Sequence, residues 1–156
     1  MIEIDVPGRE DLKIENVVFD YNGTVAVDGV MNVKIKEMIK ELSEYLNIYI
    51  ITADTYGNVR SQCEGLPVMV ETFSKGNATF YKKQFVEKIG AKFTMTVGNG
   101  LNDVEMFKVS ALSIAVIEEE GCASEAIVNS NITVKNIKDV FNMIMKKTRI
   151  KATLRD

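Results

Sequence analysis

The chain has 156 residues, 46% of them hydrophobic and 26% charged, with a formal net charge of −3, which suits one domain with a sizeable core and gives no overall basic footprint for nucleic acid. It contains no histidine, which excludes histidine triads, histidine bases and histidine-ligated metals and leaves carboxylates, Lys, Ser/Thr, amides and a hard metal for any catalysis. No apolar run is long enough to span a membrane, no signal peptide is read ahead of the first element, and Cys63 and Cys122 match no zinc or disulfide spacing, so a cytoplasmic location is expected.

Ile2–Val6, ending at Pro7-Gly8, reads as an N-terminal edge strand within residues 1–8. Val17–Phe19 is the first core strand, and residues 26–32 form a short flap after it. Ile35, Met38, Ile39, Leu42 and Leu46 fall at helical spacing, followed by strands at Ile48–Ile51 and Pro67–Val70. Ala78, Tyr81, Phe85 and Ile89 mark a second helix, followed by strands at Phe93–Val97, Leu112–Val116 and Ile132–Val134. Ile137, Val140, Phe141 and Ile144 mark a last helix. Residues 146–156 carry Lys146, Lys147, Arg149, Lys151 and Arg155 against Asp156 alone. They read as a solvated basic tail or edge strand, with a contact for a phosphate-rich partner or a neighbouring subunit as the sharper alternative.

Near-continuous apolar strands alternating with helices predict an α/β fold, a doubly wound and mostly parallel sheet, in one domain over 1–156 with its core at about 16–145. Ligands of such sheets sit at the C-terminal strand ends, and four of these ends carry polar clusters. After the first core strand come Asp20, Asn22, Gly23 and Thr24; after the second, Thr52, Ala53 and Asp54. Lys75-Gly76 opens the helix that leads into the fourth strand, and Gly98-Asn99-Gly100-Leu101-Asn102-Asp103 follows that strand. A strand-end carboxylate before a Gly/Thr turn suits covalent phosphate chemistry. Asp20 would attack phosphorus, Gly23 would let the backbone approach phosphate, and Thr24 and Thr52 would donate to its oxygens. Lys75 would neutralise charge, and Asp103 would help hold Mg²⁺. Each residue alone has a plainer reading, as a cap, a first-turn charge or a solvated lysine.

In this order the motifs resemble those of the haloacid dehalogenase-like hydrolase superfamily. Asp20-Tyr21-Asn22-Gly23-Thr24-Val25 resembles its Asp-x-Asp-Gly-Thr motif, Ile51-Thr52-Ala53 its second motif, Ser74-Lys75-Gly76 its lysine motif, and Gly98–Met106 its Gly-Asp-Gly-x-Asn-Asp motif. The nearest flavour is that of small soluble proteins likened to the phosphorylation domain of P-type ATPases. The resemblance implies a Rossmann-like fold, Mg²⁺ and a phosphoaspartyl intermediate on Asp20. It also implies phosphate contacts from Gly23, Thr24, Thr52, Ala53 and Lys75, and metal contacts from Asp20, Asn22, Asn99 and Asp103.

Two positions depart from the pattern. Asn22 replaces the Asp that protonates the leaving group and activates water, a role worth ~10²–10⁴-fold, so turnover is expected to be slow. The backbone carbonyl that the family offers to metal at that position is retained. Asn99 replaces an anionic Mg²⁺ ligand, so metal affinity is expected to fall. Both are Asn-Gly pairs, open in principle to deamidation, which would regenerate a carboxylate. No inserted cap domain fits between Val25 and Ile51 or within 55–74, and with no nucleotide-binding domain ATPase activity is not implied. The uncapped rim suits a large phosphorylated substrate, or a homo-oligomer in which a neighbour closes the site. The leading expectation is a Mg²⁺-dependent phosphatase or phosphotransferase. The alternative is a degenerate relative that binds phosphate or a phosphorylated partner without turnover, or serves as an interaction or assembly subunit. A receiver-type domain fits less well, because its phosphoacceptor would follow the third strand.

Overall fold

The computed structural model describes residues 1–74 and 76–156. In chain order the strands are β1 (Ile2–Ile4), β2 (Leu12–Ile14), β3 (Asn16–Asp20), β4 (Asn47–Thr52), β5 (Met69–Thr72), β6 (Thr94–Gly98), β7 (Leu112–Val116) and β8 (Ile132–Val134). The helices are α1 (Val33–Leu42), α2 (Val59–Gln62), α3 (Ala78–Ile89), α4 (Val104–Val109), α5 (Ser124–Asn129), α6 (Ile137–Met145) and α7 (Lys147–Leu154). Six strands form one sheet in the order β5-β4-β3-β6-β7-β8, and every pairing in it is parallel. The chain winds outward from β3 through β4 to β5, then returns to β6 on the other side of β3. The switch point therefore lies between the C-terminal ends of β3 and β6, where such sheets place their ligands.

Alternation along each strand divides the core. Val17 and Phe19 of β3, with Ile48 and Ile50 of β4, pack against Ile35 and Ile39 of α1 and Val140, Phe141 and Ile144 of α6. Phe19 and Phe141 stack at 5.4 Å between centroids. Val18 and Ile51 face the other way, onto Phe85 and Val86 of α3, Met106 and Phe107 of α4, and Ala126 of α5. Asn32 starts α1 by accepting from the Ile35 N–H at 3.0 Å, and Asn136 does the same for α6 from the Asp139 N–H at 3.1 Å.

Two segments depart from expectation. The N-terminal strand does not extend the parallel sheet: β1 pairs antiparallel with β2 in a separate ribbon. Only Glu15 separates β2 from β3, and Glu15 bonds the start of the sheet through the Phe93 carbonyl and the Asn47 N–H, both at 2.9 Å. The ribbon is thereby fixed at the N-terminal pole. The basic C-terminal segment is neither tail nor strand but helix α7. Its Ile150 is fully buried, Lys151 pairs with Asp5 at 2.8 Å, and Lys147 donates to the Glu3 carbonyl at 3.1 Å. Ile150 and Leu154, one turn apart, give it an apolar edge that packs on the core, and its lysines reach out to the ribbon. Strand β5 begins two residues after the expected Pro67, whose missing N–H suits a strand approach better than a ladder. Between β3 and β4 the chain holds only the flap and α1. Among the described residues no helix is long and apolar enough to cross a membrane.

Candidate active site

The parity of β3 that sends Val17 and Phe19 toward α1 and α6 sends Val18 and Asp20 toward α3 and α4. Asp20 ends the strand with 8% of its surface exposed. The buried stripe of α3 is Lys82, Phe85 and Val86, the i, i+3, i+4 spacing of a core face. The first of these is a lysine. Its Nζ lies 2.5 Å from Asp20 Oδ1, 2.6 Å from Asp103 Oδ1 and 3.2 Å from Asn102 Oδ1, and the residue is fully buried.

Asp103 uses its other oxygen to fix the loop after β6, accepting from the N–H groups of Asn99 at 3.0 Å and Gly100 at 2.8 Å. Gly98 is required there, since a Cβ at that position would collide with the Asp103 carboxylate. Burial pushes the Asp20 carboxyl up to about 6; Lys82 pulls it down and Asp103 adds to the rise. Lys82 is shared between two carboxylates, so its pull on Asp20 falls short of the burial cost. Burial alone would depress the Lys82 ammonium, but Asp103 and Asp20, by charge and hydrogen bond, carry it above the ordinary lysine range.

A tight turn follows Asp20. The Tyr21 carbonyl accepts from the N–H groups of Thr24, Val25 and Ala26 at 3.3, 3.1 and 3.0 Å, and the Gly23 N–H donates to the Ala26 carbonyl at 2.8 Å. Gly23 has φ 75°, a left-handed conformation that favours glycine, and a Cβ there would strike the Asn99 amide. Thr24 Oγ1 lies 3.4 Å from Asp20 Oδ2 and 3.3 Å from Asn99 Oδ1. The flap is pinned: Tyr21 Oη and Asn58 Nδ2 both donate to the Gly29 carbonyl at 3.0 Å, and the Asp28 N–H donates to Glu120 Oε1 at 2.7 Å. Thr52 is buried at the end of β4, and its Oγ1 accepts from the Asp54 N–H at 3.0 Å, which leaves its own proton to donate.

Asp20, Asn22, Thr52, Ala53 and Asn99 line one cavity of about 260 Å³, together with Thr55, Phe73, Lys82, Gly100 and Asn102. Gly23 and Thr24 are outside this lining; Thr24 supports Asp20 and Asn99 from the side and faces a neighbouring groove with Val25 and Glu118. Asp103 acts on the cavity through Lys82 and the loop. Lys75 lies outside the described residues. Sequence reasoning missed Lys82, Thr55 and Phe73 and gave Asn102, within its quoted strand-end cluster, no role of its own, although a lysine spaced with Phe85, Val86 and Ile89 was a visible signal for the first. A larger groove of about 560 Å³ lies at the opposite pole, among Ile2, Leu42, Tyr45, Ile144 and Met145, far from these groups.

Asn22 Oδ1 is buried without a hydrogen-bond partner. Asp20, Asn22 and Asn99 all line the cavity, and their side-chain oxygens are the donor chemistry Mg²⁺ takes. Among the described residues no group of three His, Cys, Asp or Glu could hold a metal, so amide and carbonyl oxygens would have to complete the shell. The residues fit a hard divalent ion held with little charge.

A family model described as haloacid dehalogenase-like hydrolase matches residues 29–139. A soluble P-type ATPase-like phosphatase from Methanocaldococcus jannaschii is 22% identical over 147 residues, covering 92% of this chain and 54% of that protein; the match thus spans about half the length of that relative. The cobalt-bound deoxy-D-mannose-octulosonate 8-phosphate phosphatase of Haemophilus influenzae superposes with a TM-score of 0.70 at 14% identity, over 92% of this chain and 94% of that one. The 3-deoxy-D-manno-octulosonate 8-phosphate phosphatase of Moraxella catarrhalis, solved with magnesium, phosphate and its sugar acid, gives 0.69 at 15% identity, over 85% and 86%. At these identities the two structures show a shared fold.

Proposed function

The chain belongs to the haloacid dehalogenase-like hydrolases, and from that footing we propose that it cleaves phosphate monoesters by way of a phosphoaspartyl intermediate on Asp20. The observation that carries this reading is the buried Asp20–Lys82–Asp103 chain at the switch point, open to a cavity with room for a phosphate. An Asp20 oxygen attacks phosphorus, the bond to the leaving oxygen breaks, and its electron pair departs on that oxygen. Lys82 offsets charge at Asp20, and the Thr52 hydroxyl and Ala53 backbone contact the phosphoryl oxygens. Water then attacks phosphorus, the Asp20–phosphorus bond breaks, and the carboxylate is regenerated as phosphate leaves with the proton. Asn22 cannot take that proton, so the second step is slow.

The metal-bearing neighbours support a divalent ion, and Asp20, Asn22 and Asn99 would hold it, with Asp103 ordering the loop. When bound, Mg²⁺ supplies positive charge that offsets the phosphoryl oxygens. The lysine expected for the phosphate was Lys75; among the described residues it is Lys82 that reaches Asp20. The substrate is a phosphorylated molecule, small or macromolecular, because the rim carries no inserted domain.

The test is hydrolysis of p-nitrophenyl phosphate with and without Mg²⁺, alongside Asp20→Ala. Mg²⁺-dependent turnover absent from the variant is expected, with acid-quenched phosphate mapping to the Asp20 peptide. A second reading is favoured by Asn22 and Asn99: a protein that binds phosphate without turning it over. Saturable phosphate binding with no covalent label on Asp20 would establish that reading instead.

A further inference from the structure

We propose that the site selects phosphate monoesters of aromatic alcohols, whose leaving group is a phenolate, over those of alkyl alcohols. The inference rests on the reading of Asp20 as the phosphorylated residue, and two independent features of the cavity lead to it.

The first is that none of the described lining residues is placed to protonate the leaving oxygen. An alkyl alcohol is about as weak an acid as water, so its oxygen leaves poorly unless protonated as the bond breaks. A phenol has a pKa of about 10 and can leave as the anion. Asn22 has no proton of that acidity to give. Lys82 lines the cavity but its ammonium is engaged by Asp20 at 2.5 Å and Asp103 at 2.6 Å. Asp103 has one oxygen on Lys82 and the other on two backbone N–H groups. Glu118, Glu119 and Glu120 stand outside the cavity lining. The described lining thus favours substrates that need no general acid.

The second is an aromatic wall. Phe73, directly after β5, is the one large apolar side chain among the lining residues described. Its N–H bonds the Thr52 carbonyl at 3.3 Å, which ties it to the strand end that carries the phosphate-facing Thr52. Its ring packs on Tyr81 with centroids 5.0 Å apart and planes tilted by 33°. Tyr81 is 40% exposed, so the aromatic surface that starts at Phe73 reaches solvent through it. At about 260 Å³ the cavity has room for a phosphate and part of its leaving group, which then lies within reach of the Phe73 wall. A ring there gains the offset or edge-on contacts that flat groups prefer. A sugar or glycerol would lay hydroxyls on the same surface and strip water from them.

The test compares kcat/KM for phenyl phosphate, a phosphotyrosine peptide, glycerol phosphate, phosphoserine and acetyl phosphate, in the wild type, Asn22→Asp and Phe73→Leu. The wild type is expected to prefer both aryl substrates to both alkyl ones by at least about 10²-fold. Asn22→Asp is expected to raise the alkyl substrates by ~10²–10⁴-fold and so narrow the gap. Phe73→Leu is expected to lower phenyl phosphate about three- to tenfold relative to acetyl phosphate, whose carboxylate leaving group also needs no general acid but is not aromatic. Turnover of the peptide points to a protein source of the aryl phosphate, and turnover of phenyl phosphate alone to a small one. Equal use of aryl and alkyl esters by the wild type, or an equal effect of Phe73→Leu on phenyl and acetyl phosphate, would overturn the proposal. Should no monoester turn over, the enzymatic reading fails, and calorimetric titration decides the inference separately. Phenylphosphonate binding more tightly than methylphosphonate, with the difference lost in Phe73→Leu, supports it; equal affinities reject it.

Discussion

Lys82 is the residue on which the site turns, because one buried ammonium answers two carboxylates. Removing it leaves Asp20 and Asp103 facing each other without a cation, the situation in which breaking a buried ion pair costs about 3–5 kcal/mol. Lys82→Met is expected to lose that much stability in urea titration at neutral pH. The same change moves the pH profile. Asp20 must be ionised to attack, so with its carboxyl pushed up to about 6, kcat/KM of the wild type should fall as pH drops through 6. Lys82 lowers the Asp20 pKa, so in a folded Lys82→Met protein the acid limb should move to higher pH. A limb that stays in place would show that Lys82 and Asp20 are uncoupled.

At the scale of elements, legibility in the sequence follows apolar pattern for the strands, three-residue β8 included, and length for the shortest helices. Strands β3, β4 and β7 were readable because both sheet faces are covered and the runs are mostly apolar, and β6 because its Thr-Met-Thr-Val run is rich in strand-favouring residues. Helices α2, α4 and α5, of 4, 6 and 6 residues, show too little of a 3.6-residue period to be found. Helix α3 was found with its face misread. Ala78, Tyr81, Phe85 and Ile89 looked like the core stripe, whereas the buried one is Lys82, Phe85 and Val86. A pattern built from apolar residues passes over a lysine, and that is why the strand-end residues of the site were legible and its buried cation was not.

The turns answer a chemical question the sequence raised. Deamidation needs the backbone nitrogen of the following Gly to attack the Asn side chain. The Gly23 nitrogen is bonded to the Ala26 carbonyl and the Gly100 nitrogen to Asp103 Oδ2, both at 2.8 Å. Asn22 and Asn99 are therefore expected to survive prolonged incubation of the folded protein unchanged. Peptide mass mapping checks this against unfolded chain, where both should convert.

For the whole molecule, the sheet separates two poles. The C-terminal strand ends carry the candidate chemistry, and the N-terminal ends carry the β1–β2 ribbon with α7 against it. Ile150→Ala should destabilise the protein by about 2–5 kcal/mol through loss of a fully buried side chain. It should leave kcat/KM unchanged in any folded sample, since no cavity-lining residue lies on α7. A loss of turnover that exceeds the loss of folded protein would mean that the poles communicate.

The clasp between the two ends of the chain also sets how the molecule can be handled. Lys151 holds Asp5, a Cβ on Gly8 would sit 3.2 Å from that of Asp156, and the Met1 ammonium donates to the Tyr45 carbonyl at 2.8 Å. Both ends therefore meet at the pole away from Asp20. Fastened to a bead or a sensor chip by either of them, the molecule would present its cavity outward, away from the support.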